Sequence, residues 1–292
     1  TLVNASGPWV ASFIKAGLEQ KPPYGIRLIQ GSHLIVPRLH DGAQAYILQN
    51  DDRRIVFVIP YLDRFSMIGT TDCEYHGDPG KVEITDSEID YLLEVVNAHF
   101  RQQLERQDIL QTFSGVRPLC DDESDDPSAV TRDYTLALSG NKGEAPLLSV
   151  FGGKLTTYRK LAEAALEQLE PWLPDMAGNW TEHATLPGGE KMDSPDQLVR
   201  SLTRDQPWIP VTLAQRWSQS YGSRSWQILE GVQALEQLGE HFGGDLYQRE
   251  VDYLCQVEWA QTAEDILWRR SKLGLFLDAR QQARLQDYLT SN

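Results

Sequence analysis

Cysteine is scarce in this chain. Cys73, Cys120 and Cys255 are far apart, odd in number and form no CxxC pair. That argues against a structural zinc site, and three scattered thiols suit a reducing compartment such as the cytoplasm. Long apolar runs are also missing. The longest, Ile55 to Leu62, is interrupted by Pro60 and falls far short of the roughly 20 residues that span a bilayer. Basic residues are outnumbered, 27 against 42 acidic, for a formal charge of -15 and a pI near 4.8. A chain of that balance does not displace counterions from nucleic acid, and no nucleic-acid partner is expected. Nor is the whole chain drawn to an anionic lipid face. There is no GxGxxG or GxxxxGK[ST] phosphate signature, no HExxH metal pattern and no GxSxG nucleophile elbow, which leaves the hydrolase readings with little support. No initiator Met opens the chain. Thr1 to Gly7 reads as the end of a buried strand entering a tight turn, as in a piece of a longer protein.

What is present is ordinary globular chemistry: 292 residues, 41% hydrophobic and 24% charged, enough for one large or two medium domains. Between Tyr24 and Asp72 short apolar runs follow closely: Ile26 to Ile29, Leu34 to Val36 beyond Gly31, Ala45 to Leu48, Ile55 to Ile59 and Phe65 to Ile68. Asn50 to Arg53 marks a hairpin turn. Strands this close leave no room for helical crossovers, so an antiparallel sheet is expected. Thr85-Asp86-Ser87-Glu88 has capping-box spacing, and the apolar positions from Ile89 to Phe100 predict a helix of about five turns. Strands return at Ile109 to Val116, Tyr134 to Leu138 and Leu147 to Phe151, with the acidic run Asp121 to Asp126 between the first two, read as a solvated loop. A second helix runs from Leu155 to about Leu169.

After Pro171 the composition shifts. Pro174, Gly178, Pro187, Gly188 and Gly189 mark a linker. Helices are expected at Leu213 to Tyr221, Trp226 to Leu238, Leu246 to Trp259, Ala263 to Lys272 and Ala279 to Leu289. The predicted fold class is α+β: a mainly antiparallel sheet domain with flanking helices over residues 1–177, then a small all-α domain over 178–292.

Four arrangements could carry chemistry. Phe151-Gly152-Gly153-Lys154-Leu155-Thr156 places two glycines and a lysine between a strand and a helix. Free N–H groups there suit a phosphate or an anionic flavin edge; the plain alternative is a strand-to-helix turn. Arg117, before Pro118, ends a predicted strand, and Arg132 precedes another. Arginine suits bidentate phosphate recognition, and the alternative for each is a surface ion pair. His33 follows Gly31-Ser32 between two strands, where it acts either as a general base or as a structural histidine. Together these suit a small anionic substrate. They go no further.

The same segments carry a resemblance. Gly25 to His33, Ile68 to Asp72, Ser114 to Leu119, Thr131 to Tyr134, Phe151 to Lys160 and Asp265 to Leu275 occur in the order and spacing of the flavin-dependent, quinone-linked glycerol-3-phosphate dehydrogenases, and the chain most resembles the C-terminal part of the bacterial aerobic enzymes. The resemblance implies oxidation of glycerol 3-phosphate to dihydroxyacetone phosphate, with FAD as hydride acceptor and quinone as the electron sink. It further implies a cytoplasmic protein held peripherally on the inner face of the membrane, and leaves a homodimer open. His33 is then the candidate base and Arg117 the partner of the C2 oxygen. Arg132 and Lys154 would hold the substrate. Ser6, Gly7, Gly152, Gly153, Lys154, Leu155 and Thr156 would face the flavin. Lacking the GxGxxG segment, this chain alone is expected not to retain FAD or to turn over. Thr70-Thr71-Asp72 either lines the site or satisfies a turn, and is left outside the catalytic set. The alternatives are an oxidase that uses oxygen and a non-catalytic interaction domain.

Overall fold

A computed structural model describes residues 1–121, 133–140 and 143–291. Arg132, and the acidic run beyond Asp121, lie outside the described residues. The chain divides into two compact units, Thr1–Glu182 and His183–Asn292.

The first unit is built on a six-stranded antiparallel sheet. Its strands are β2 (Gly25–Pro37), β3 (Tyr46–Gln49), β4 (Ile55–Tyr61), β5 (Phe65–Gly69), β6 (Cys73–Tyr75) and β7 (Gln111–Asp121), in the order β3-β4-β5-β2-β6, with β7 on the other side of β2. β2 is one thirteen-residue strand, not the two short runs expected on either side of Gly31. Glycine inside a strand marks either a break or a close approach, and here it is the second.

Alternation along β2 assigns two faces. Leu34 and Val36 join Leu48, Val56, Val58 and Ile68 in a core against α2 (Asp86–His99), which buries Leu92, Leu93, Val95 and Val96. The Thr85–Glu88 capping box is present, and the helix is about four turns rather than five. Gly31 and His33 take the opposite face.

A smaller sheet joins β1 (Leu2–Asn4), β9 (Leu147–Gly152) and β8 (Tyr134–Ser139). β1 runs parallel to β9, and β8 antiparallel to it. Leu2 and Val3 are exposed, so the strand expected to be buried is so only at Asn4. A short helical segment, α1 (Val10–Ser12), follows β1, and after β9 a 3-10 turn (Leu155–Thr157) leads into α3 (Tyr158–Leu169). Val10, Ile14, Cys120 and Phe151 pack together and tie this sheet to β7.

The second unit is helical: α4 (Pro195–Asp205), α5 (Val211–Tyr221), α6 (Ser225–Ile228), α7 (Gln248–Val257) and α8 (Ala279–Ser291). α4, capped by Ser194, was not expected from sequence. The helix expected over Trp226 to Leu238 stops at Ile228, and Gly231 at φ +75 breaks the run. A two-stranded hairpin, β10 (His241–Gly243) with β11 (Leu246–Tyr247), interrupts the all-helical expectation. Among the described residues, no helix is long and apolar enough to cross a membrane.

Candidate functional site

Strand register gathers the site on the face of the large sheet turned away from α2. His33 pairs with Gly69 on β5 and with Phe113 on β7; Gly69 pairs with Phe57, and Phe57 with Ile47. Ile47, Phe57, Gly69, His33 and Phe113 therefore form one row across the sheet. Phe57, Ile47 and Phe113 are exposed.

The His33 imidazole stacks on Phe113, centroid to centroid 4.7 Å and nearly parallel. It also lies over Gly69, where a Cβ would come within 2.4 Å of His33 Cδ2, so glycine at 69 makes room for the ring. His33 Nδ1 is buried and meets no hydrogen-bond partner among the described residues. Burial first, and the Arg117 charge second, hold the imidazole below its ordinary pKa. A neutral imidazole can accept a proton.

Arg117 stands on β7 opposite Ile29, two positions along from Gly115 and therefore on the His33 face. Its guanidinium reaches diagonally across β2, directly over Gly31. A Cβ at Gly31 would lie 2.9 Å from Arg117 Nη2 and 2.6 Å from Thr70 Oγ1. On the far side Arg117 Nη1 donates to Asp72 Oδ1 at 3.0 Å and Nη2 to Thr70 Oγ1 at 3.4 Å. The glycine that looked like a strand break is the floor of the arginine's path. Arg117 is thus in an ion pair, but one partly exposed on the open face beside His33, with donors still able to reach an oxyanion.

The Gly152-Gly153 turn belongs to the smaller sheet. Gly152 and Gly153 have φ of +72 and +105, and a Cβ on Gly152 would meet Asp133 O at 3.0 Å, Cys120 N at 3.4 Å and Pro118 O at 3.6 Å. The turn therefore lies against β7, next to the residue that follows Arg117. Ser6 and Gly7 follow the end of β1, and the parallel register aligns them with the end of β9. Two loops thus leave the same edge of a parallel strand pair, the crevice where such sheets receive cofactors. No side chain caps the first turn of α3, and Leu155 and Thr156 are exposed. Lys154 Nζ lies 3.7 Å from Asp133 Oδ1. A flavin's electron-rich edge fits this opening: two glycines keep it bare, and amides without a capping side chain line it. No group of three or more His, Cys, Asp or Glu residues placed to hold a metal occurs among the described residues.

The motif left outside the catalytic set turns out to matter. Thr70 and Asp72 are the groups that steady Arg117, while Thr71 between them points to the other face and is buried. The signal was available in the apolar run to Ile68 followed by Thr-Thr-Asp, but its partners are distant in sequence.

Comparison with known proteins identifies the family. The family model for FAD dependent oxidoreductase matches residues 1–159, and that for the C-terminal domain of alpha-glycerophosphate oxidase matches residues 179–288. The chain is 66% identical to a glycerol-3-phosphate dehydrogenase of Pseudomonas aeruginosa, covering 99% of this chain and 57% of that protein. It is 54% identical to the aerobic glycerol-3-phosphate dehydrogenase of Escherichia coli K12, covering 99% and 58%, and 47% identical to the D-erythritol 1-phosphate dehydrogenase of Brucella abortus, covering 97% and 56%. The chain thus spans a little over half the length of these relatives. Its fold is similar to that of the Bacillus halodurans glycerol-3-phosphate dehydrogenase solved with FAD, at a TM-score of 0.77 and 24% identity, over 99% of this chain and 61% of that one.

Proposed function

The chain belongs to the FAD dependent oxidoreductase family, and from that premise we propose that it is the C-terminal part of an enzyme oxidising sn-glycerol 3-phosphate to dihydroxyacetone phosphate, with the electrons delivered to quinone. The observation that carries the reading is that His33 and Arg117 share one open sheet face, with the guanidinium held over Gly31 by Asp72 and Thr70. FAD, when bound, supplies the hydride acceptor. His33 takes the proton of the C2 hydroxyl; its lowered pKa keeps it neutral and able to do so near pH 7. Arg117 faces the C2 oxygen and stabilises the negative character that grows there as the proton leaves. Arg132 holds the phosphate, and Lys154 faces the flavin or the substrate anion. Ser6, Gly7 and the Gly152 to Thr156 turn line the flavin edge.

Because quinone is dissolved in lipid, the whole enzyme works from the inner face of the cytoplasmic membrane as a peripheral protein. The 178–292 part forms a helical domain of its own, and by itself the chain does not hold FAD. The test is anaerobic flavin bleaching by sn-glycerol 3-phosphate in the full-length protein, followed by reoxidation with a soluble quinone or with oxygen. Bleaching followed by quinone turnover is expected. No bleaching overturns the reading, and stoichiometric peroxide with no quinone reduction replaces the dehydrogenase by an oxidase.

A further inference from the structure

Beneath the site, on the α2 side of the sheet, lies a buried acid that the proposed reaction does not use. Glu88 is 5% exposed. Its Oε1 accepts from Thr71 Oγ1 at 2.5 Å and Ser32 Oγ at 2.9 Å; its Oε2 accepts from Gln30 Nε2 at 2.8 Å and from the Thr85 amide and hydroxyl, both at 2.9 Å. Every one of these donors is neutral. Burial pushes the carboxyl pKa up, but the bonds from Thr71, Thr85 and Ser32 outweigh it and hold the group below the ordinary carboxylate range. An ionised carboxylate that accepts five bonds fixes its donors firmly.

The donor that matters is Thr71. Its hydroxyl is also the acceptor for the Ser32 amide at 2.9 Å, so it is held from two directions. Its neighbours in sequence, Thr70 and Asp72, emerge on the opposite face and contact Arg117. Ser32, another donor to Glu88, precedes His33 and bonds to Ser114 Oγ on β7 at 2.9 Å. One carboxylate thus clamps the backbone beneath both candidate catalytic side chains.

We propose that Glu88 is a positioning residue: through Thr71 it sets the Thr70–Asp72 turn, and the turn aims the guanidinium of Arg117. The inference rests on the site reading above. A helix-capping residue with no such role would affect stability alone.

The test uses the full-length, FAD-loaded protein with Thr71→Val, Thr71→Ser, Glu88→Gln and Val96→Ala. Thr71→Val and Glu88→Gln should lower kcat by about tenfold to a hundredfold, the range for small misplacements of a reacting group, with a smaller change in KM. Thr71→Ser, which keeps the hydroxyl, should restore the rate. Val96→Ala, a cavity in the same helix–sheet core, should lower Tm and leave kcat alone. Added to Arg117→Ala, Thr71→Val should cost much less than it does alone.

A crystal structure of the Thr71→Val protein gives a readout free of turnover, since the 3.0 Å Arg117–Asp72 contact should open. Wild-type kcat with that contact intact overturns the proposal. So does a kcat that falls with Tm across all the variants. If Glu88→Gln does not fold, Thr71→Val decides alone. If the wild type does not bleach with glycerol 3-phosphate, the substrate reading falls, and the crystallographic arm still decides the positioning role.

Discussion

Two buried carboxylates, Glu88 in the first unit and Glu250 in the second, each sit in a hydrogen-bond cluster, and the two are satisfied in opposite ways. Glu250, on α7 of the second unit, is fully buried. It takes both terminal nitrogens of Arg216 at 2.6 Å each, Trp217 Nε1 at 2.8 Å and the Tyr221 hydroxyl at 2.5 Å. Burial works against the Arg216 charge, yet the carboxylate more than offsets it and raises the guanidinium pKa. Burial and the Glu250 charge together push the Tyr221 phenol well up, so it stays a donor. Glu88 is met by neutral donors alone, and the nearby Arg117 sits on the other side of the sheet. A cation locked to its buried acid welds helices together; one kept apart from it remains available to a substrate.

The comparison can be broken most forcefully in the second unit. Glu250→Leu leaves the largely buried Arg216 without its carboxylate partner and should cost about 3–5 kcal/mol, read by urea unfolding with the fluorescence of the buried Trp217. Adding Arg216→Met should recover much of that loss. If the single change proves harmless, the weld is not one. Next in size is Arg117→Ala in the full-length enzyme, where kcat should fall by about 10²–10³ as for other oxyanion donors. Arg132→Ala should instead raise KM by about a hundredfold, because the phosphate charge is the same in ground and transition states.

A smaller effect is the pH dependence that Glu88 contributes. The folded pKa of Glu88 lies below its ordinary 4.5, so its contribution to stability is present above that value and is lost as pH falls through the lowered one. The stability gap between wild type and Glu88→Gln should therefore be constant near pH 7 and close in acid, measured by urea melts. Smallest is a shift at His33. The acid limb of kcat/KM should lie below pH 6.5, and removing the Arg117 charge should move it upward, because one of its two causes is gone.

The sequence showed much of this fold where signals are local. The Thr85–Glu88 box, the Asn50–Arg53 turn and the strand ending in Gly152-Gly153 were all legible from residues within a few positions of one another. From sequence Glu88 is legible only as a cap, because its other donors, Thr71, Ser32 and Gln30, lie 17, 56 and 58 residues away. Gly31 was read as a boundary because a glycine in a strand carries the same signal for a break as for a close approach; only the register of β7 tells them apart. Arg117 and His33 were named individually, but the spacing of residues cannot say that two strands pair so as to put both on one face. The helix lost after Ile228 shows the reverse error, periodicity carried past a glycine that ends it.

The pairing of β1 with β9 has a consequence for how the chain is made. Leu2 pairs in register with Leu147, so β1 lacks this partner until the strand almost at the end of its unit has followed it out. In the interval β2 to β7 can close their antiparallel sheet among themselves, while the edge of β1 that β9 will cover stays open. Contacts of such long sequence separation form late and slowly, and an unpaired edge can meet another chain first. The vulnerable moment in synthesis is thus the wait for β9. Slowing translation between β7 and β9 should raise the aggregated fraction more than slowing it after residue 183, where the second unit assembles from its own local contacts.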